Sequence, residues 1–169
     1  MDFEKVLLSR KSCREYTDRP VEDDKLYKVV TAASLAPLGL PKNGKPHITI
    51  VTDKDMLKAL GSQFGPDKDI IYGAPALIIA SCPPAPMEGV AQMNAACVVE
   101  MMALQATNEG LGNIYLYGVT AALAKNEDLM KQLGIPEGFV PLSALALGYG
   151  KEDVSECKVF EATLSQNRY

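Results

Sequence analysis

Histidine occurs once in the 169 residues, at His47. That scarcity rules out any multi-histidine metal site and leaves a Ser-His-Asp triad only if His47 itself is the base. Cysteine is sparse too. Cys13, Cys82, Cys97 and Cys157 stand apart, with no C-x-x-C pair and no neighbouring histidine, so neither a zinc site nor a redox dithiol has its spacing. They read as reduced thiols. Positive charge is not in excess either: 17 basic residues against 21 acidic ones give a net charge of -4, which argues against a nucleic-acid or membrane-surface role. No apolar run approaches membrane-spanning length, and the opening Met1-Asp2-Phe3-Glu4-Lys5 lacks the basic-then-apolar pattern of a signal peptide. A soluble, cytoplasmic protein is the expectation. With no triad, metal cluster or dithiol in view, the chemistry is expected to reside in a bound cofactor.

Against that background the stretch Ser9-Arg10-Lys11-Ser12-Cys13-Arg14-Glu15-Tyr16 stands out, with three cations and a hydroxyl directly after a short apolar run that ends at Leu8. Arginine offers a planar fork of donors to phosphate, lysine a point charge and serine a neutral hydroxyl. The cluster suits an anion. Cations in the last turn of a helix also simply complement its dipole, and composition alone leaves both readings open.

The length suits one domain with a core of its own. Phe3, Val6, Leu7 and Leu8 predict a short first helix, and Leu26, Val29, Val30 and Ala33 a second that ends near Ala36-Pro37. The prolines and glycines from Pro37 to Pro46 predict a structured loop, which leads into a strand at His47-Ile48-Thr49-Ile50-Val51-Thr52. A capped helix bearing Met56, Leu57 and Leu60 follows, then a buried strand at Ala76-Leu77-Ile78-Ile79-Ala80-Ser81. From about Met87 to Glu109 the chain is apolar nearly all round, as in a helix at the centre of the protein or one shared with a partner subunit. Ile114-Tyr115-Leu116-Tyr117 predicts a third strand, closed by Gly118, where the backbone is free to approach a ligand or simply to turn. A helix through Leu129, Met130 and Leu133 leads to a last strand at 140–148. Residues 1–150 then form the domain and 151–169 a polar tail that could not fold alone. Interleaved helices and strands predict an α+β or α/β layered fold.

Taken together, four landmarks resemble the nitroreductase family of FMN-dependent flavoproteins over nearly the whole chain. Ser9 to Tyr16 is similar to the family's R-R-S-x-R-x-F/Y opening, and Pro20-Val21 with a helix ending at Ala36-Pro37 to its P-V-x-x-x-x-L … A-P pattern. Gly110-Leu111-Gly112-Asn113-Ile114-Tyr115-Leu116-Tyr117-Gly118 resembles the family's G-L-G-x-x-W-I/L-x-G. Leu133-Gly134-Ile135-Pro136-Glu137-Gly138 leading to Ala146-Leu147-Gly148-Tyr149 resembles its L-G-I/L-P-E … A-L-G-Y ending. There are departures. The loop Ala36 to His47 is longer than the family's A-P-S-G-x-N-x-Q-P-W, with Lys45 for Gln and His47 for Trp. Asn94 and Glu100 stand in the central helix where larger relatives have Asp and Gln, and the chain is too short for the extra helices that cover their pocket.

The resemblance implies a three-layer α/β/α fold with a central mixed sheet and a long buried helix at a homodimer interface, the tail 151–169 extending onto the partner. It implies non-covalent FMN, with Arg10, Lys11, Ser12 and Arg14 on the phosphate and ribityl chain, Asn43, Tyr117 and Gly118 as further contacts, and Arg168 reaching the partner's flavin phosphate. Gly118 would be the catalytic position, its N–H directed at the flavin N5. The implied activity passes electrons from NAD(P)H or another reduced donor to a small acceptor such as a nitro compound or quinone. Two other readings fit the same residues: a non-catalytic flavin-binding or flavin-storage protein, and a regulator that uses the basic cluster for some other phosphate-bearing nucleotide.

Overall fold

Alternating helical and β-branched patterns are realised in order along the chain. The computed structural model describes residues 2–151 and 164–167, so Cys157 and Arg168 lie outside the described residues. Helix α1 (Phe3–Ser9) is capped by Asp2, which accepts from Lys5 N at 2.9 Å. Helix α2 (Asp23–Ala33) stops earlier than predicted. Pro37 disfavours helical backbone at Ala36, and the last turn tightens instead, Leu35 N donating to Ala32 O and Ala36 N to Ala33 O. Then come β1 (His47–Val51), α3 (Lys54–Gly61), β2 (Ala76–Cys82), α4 (Val90–Asn108), β3 (Gly112–Leu116), α5 (Gly118–Leu123), α6 (Glu127–Gln132) and β4 (Val140–Gly148). His47 packs its ring edge-on to Phe139, a structural role at the start of β1.

Helix α5 has no sequence signature, because it opens on a glycine followed by β-branched Val119 and Thr120. It is held locally, the Thr120 hydroxyl donating to Tyr117 O at 2.8 Å. Tyr117 is therefore the residue that caps α5, and the strand before it closes at Leu116.

The fold is α+β, but the four-stranded sheet, in the order β1-β2-β4-β3, is antiparallel at every pairing rather than mixed. The reason lies in the connections. The chain between β1 and β2 returns to the end of the sheet it left, Val51 facing Leu77, and so does the chain between β3 and β4, Leu116 facing Ala144. Among the described residues the one parallel pairing is a single bridge between Ser12 and Asn113.

Period-two burial divides the strands between two helical layers. Ala76, Ile78, Ala80, Leu145 and Leu147 pack with α2 and α4, while Leu77, Ile79, Ala144, Ala146, Ile114 and Leu116 pack with α3, α5 and α6. Three layers, α/β/α, result. Helix α4 buries Ala95, Val98, Val99, Met102 and Ala106 in that core but keeps an apolar outer stripe, with Met93 58 % exposed and Cys97, Met101 and Leu104 half-buried. It ends in a Schellman turn, Leu111 N donating to Ala106 O across Gly110 at φ +75°.

The end of β4 is tied to this layer through Tyr149. Its hydroxyl donates to Glu22 Oε2 at 2.7 Å and accepts from Lys25 Nζ at 3.0 Å, and the Arg19 guanidinium lies 3.9 Å from the ring centroid. The Tyr149 hydrogen bond, with help from a backbone amide and Arg19, brings the Glu22 carboxyl down to about 2.

Candidate functional site

The basic stretch leaves α1 and lies as a strap across one end of the sheet. Cys13 N donates to Asn113 O at 2.9 Å, Thr17 N to Tyr149 O at 2.8 Å, and Lys151 N to Glu15 O at 3.0 Å. Tyr16 anchors the strap: its ring is 5 % exposed and its hydroxyl donates to Cys13 O at 3.1 Å and lies 3.3 Å from Ala146 O. Burial pushes that phenol far above its ordinary range, so it stays protonated.

Two glycines make the strap's seat. Gly112 and Gly148 face each other across β3 and β4. A Cβ on Gly112 would stand 2.8 Å from Cys13 Sγ, and one on Gly148 would stand 2.5 Å from Pro75 Cδ and 3.1 Å from Tyr16 Cδ1. Only residues without side chains let the strap and Pro75 lie this close.

Seated this way, the strap brings Ser9, Lys11, Ser12, Cys13, Arg14 and Glu15 onto a cavity of about 250 Å³ whose other wall is Thr107, Leu111, Gly112 and Asn113. Arg10 does not line it. As the residue after α1, Arg10 gives its backbone N–H to Val6 O, and its side chain is half-buried. Asn113 is 1 % exposed; its Nδ2 donates to Thr107 Oγ1 at 3.0 Å, while its Oδ1 has no hydrogen-bond partner among the described residues. The cavity thus combines cationic and hydroxyl donors, suited to a phosphate, with a buried acceptor suited to a hydroxyl.

Tyr117 and Gly118 lie at the opposite end of β3, roughly 15 Å away for about five residues of strand. Tyr117 is 69 % exposed. Gly118 has no left-handed φ, and among the described residues a Cβ there would meet only Phe64 Cε2 at 3.9 Å, so neither conformation nor packing among those residues demands a glycine.

Asn43 is not among the residues that line the cavity. It ends a 3-10 turn (Pro41–Asn43) in a loop fixed to the start of α4, where Gly39 N donates to Asn94 Oδ1 at 2.8 Å and Asn94 Nδ2 to Gly39 O at 3.0 Å. From Asn94 to Thr107 is about 20 Å along the helix. Residues that sequence reasoning missed are Thr107 and Asn113 on the cavity, and Phe64 and Tyr72 beside Gly118 and Arg14. Asn113 carried the only hint, a polar residue opening a buried strand. Among the described residues no group of His, Cys, Asp and Glu is placed to hold a metal, and burial pushes the Cys82 thiol up to about 11, away from nucleophilic use.

A model of the nitroreductase family matches residues 57–149. The chain is 31 % identical over 153 residues to the "Putative NADH dehydrogenase/NAD(P)H nitroreductase" of Archaeoglobus fulgidus, covering 88 % of this chain and 86 % of that one. In structure it is similar to a nitroreductase with bound FMN from Desulfitobacterium hafniense, with a TM-score of 0.81 at 23 % identity over 99 % of this chain and 100 % of the other. It is similar also to a nitroreductase with bound FMN from Bacteroides fragilis, with a TM-score of 0.76 at 24 % identity over 100 % of this chain and 95 % of the other.

Proposed function

Because the chain belongs to the nitroreductase family, we propose that it is an FMN-dependent oxidoreductase that takes electrons from NADH or NADPH and delivers them to a small organic acceptor such as a nitro compound or quinone. The cavity under the strap carries this reading, since a ribityl phosphate offers what its lining asks for. Lys11, Arg14 and Ser12 hold the phosphate, and the buried Asn113 Oδ1 accepts from a ribityl hydroxyl. FMN supplies the hydride chemistry when bound. Gly118 presents its backbone N–H to the ring, a role supported by the lack of a packing reason for a glycine there among the described residues. The two solved relatives crystallised with FMN support the cofactor.

The test is a visible spectrum of fresh protein followed by anaerobic addition of NADH and NADPH. A yellow protein bleached by either donor and reoxidised by a nitroarene or quinone meets the reading; a colourless one that takes up no FMN defeats it. Flavin retained but never reduced would leave a storage protein instead. Gly118→Ala sharpens the point. Its melting temperature and flavin content should match the parent, as the new Cβ makes only an ordinary contact with Phe64, while flavin reduction slows by roughly tenfold or more, about 1.4 kcal/mol of barrier. Unchanged reduction would remove Gly118 from the site.

The working unit in this reading is a homodimer formed through the outer stripe of α4. Met93, Cys97, Met101 and Leu104 run along that stripe, and Met87, three residues before α4, is exposed as well. A two-fold-related copy buries such a self-complementary patch on both subunits at once, and it offers Asn43 of one copy a route to the flavin of the other. Sedimentation at micromolar concentration should give a dimer; a monomer still holding its flavin would contradict it.

A further inference from the structure

Left-handed backbone favours glycine, yet Tyr72 occupies it at φ +60°, with Gly73 beside it at +67°. The surrounding turn enforces this. The Asp69 carboxylate accepts from Ile71 N at 3.0 Å and from Gly73 N at 2.5 Å, and Ala74 N donates to Ile71 O at 3.1 Å. Gly61 lies so near Asp69 that a Cβ on it would stand 2.5 Å from the carboxylate. A turn wedged this way holds a conformation that tyrosine alone would avoid.

The strained residue is not filling the core, because its side chain remains 37 % exposed. What the conformation achieves is a contact with the strap: the Arg14 guanidinium carbon lies 5.9 Å from the centroid of the Tyr72 ring. A cation within about 6 Å of an aromatic face is attracted to it. Arginine has a long, rotamer-rich side chain, and fixing it before a ligand arrives removes ordering cost from the binding step. Strain held at an exposed ring, with the ring spent on a cation that lines the cavity, is a reason to look for function at that residue.

We propose that Tyr72 is a positioning residue for the cofactor site: its left-handed backbone places the ring where it holds Arg14 ready for the anionic end of the cofactor. The proposal rests on the FMN reading above for the identity of the ligand, and on the geometry alone for the ordering of Arg14.

Three full-length variants test it, read by FMN titration of flavin-free protein, by melting temperature, and by NMR relaxation of the Arg14 Nε–H signal without flavin. Tyr72→Phe keeps the aromatic face and should bind FMN within about twofold of the parent. Tyr72→Ala and Tyr72→Gly lose the face and should each weaken FMN binding by roughly fivefold. Glycine also relieves the backbone, so Tyr72→Gly should melt higher than Tyr72→Ala while binding no better, a split that a merely structural role would not give. Arg14 should be ordered in the parent and the Phe variant and mobile in the other two. Parental affinity in Tyr72→Gly, or an Arg14 equally ordered in all four proteins, would overturn the proposal. The NMR readout stands even if the protein takes up no FMN, which would instead count against the functional reading.

Discussion

A Lys11→Ala, Arg14→Ala double variant is expected to fold normally and to purify without flavin. Both side chains line the cavity under the strap, and each charge-assisted contact to a phosphate contributes roughly 1.5 to 3 kcal/mol. Losing two should raise the dissociation constant for FMN by about two orders of magnitude or more. The fold should survive because backbone bonds and buried contacts suffice to hold the strap down. That work belongs to Cys13 N on Asn113 O, to the buried Tyr16 and to the close seat at Gly112 and Gly148. Flavin titration with a thermal melt alongside separates the two effects. Parental affinity in the double variant would remove the phosphate from this cavity.

Gly148→Ala should show the reverse, a damaged fold that takes the site with it. The added methyl would stand 2.5 Å from Pro75 Cδ, a ring carbon with no rotamer to yield, and 3.1 Å from Tyr16 Cδ1. Overpacking of this kind costs about 1 to 3 kcal/mol, which at this chain length lowers the melting temperature by roughly 3 to 10 °C. Because Tyr16 anchors the strap, flavin affinity should fall in the same variant although no ligand-facing atom has changed. A melt within one degree of the parent's would mean that Pro75 and the strap shift without cost. Set beside Gly118→Ala, expected to leave stability intact and slow reduction, the pair tells a glycine kept for packing from one kept for a ligand.

Most of the architecture was readable because burial is periodic. The strands at Ala76 and Val140 are apolar continuously, as strands covered by helices on both faces must be, and the run from Met87 to Glu109 announced the one long helix. Strand direction was not readable. Interleaved helices and strands suggest parallel crossovers, but here the connections return to the end of the sheet they left, a property of loop path that no single residue encodes. Helix α5 escaped because Gly118, Val119 and Thr120 each disfavour helix on their own, and the Thr120 hydroxyl on Tyr117 O together with packing against β4, α3 and α6 makes up for it.

At the site, charge was legible and seating was not. Lys11, Ser12 and Arg14 stood out as an anion cluster by their types and spacing and all three line the cavity, whereas Arg10, as well placed in sequence, is the residue that closes α1 and is not among the lining residues. Asn113 and Tyr72 matter through partners more than 50 residues away in sequence, which local pattern does not reveal. The glycines at 112 and 148 look alike in sequence to the one at 118, and only the atoms crowding the first two set them apart.

The strap and the Gly118 end of β3 are built to different degrees of firmness. At the first, a buried tyrosine and two glycines fix the backbone to within contact distance of its neighbours. At the second, the aromatic side chains beside the glycine are largely in solvent, Tyr117 at 69 % and Phe64 at 53 %. Exposed positions of that sort accept new side chains at little cost to stability. On the FMN reading proposed above, substitutions at positions 64 and 117 would change which acceptors are favoured while the phosphate contacts of the strap stay as they are, and a library confined to those two positions should stay almost entirely folded and flavin-loaded.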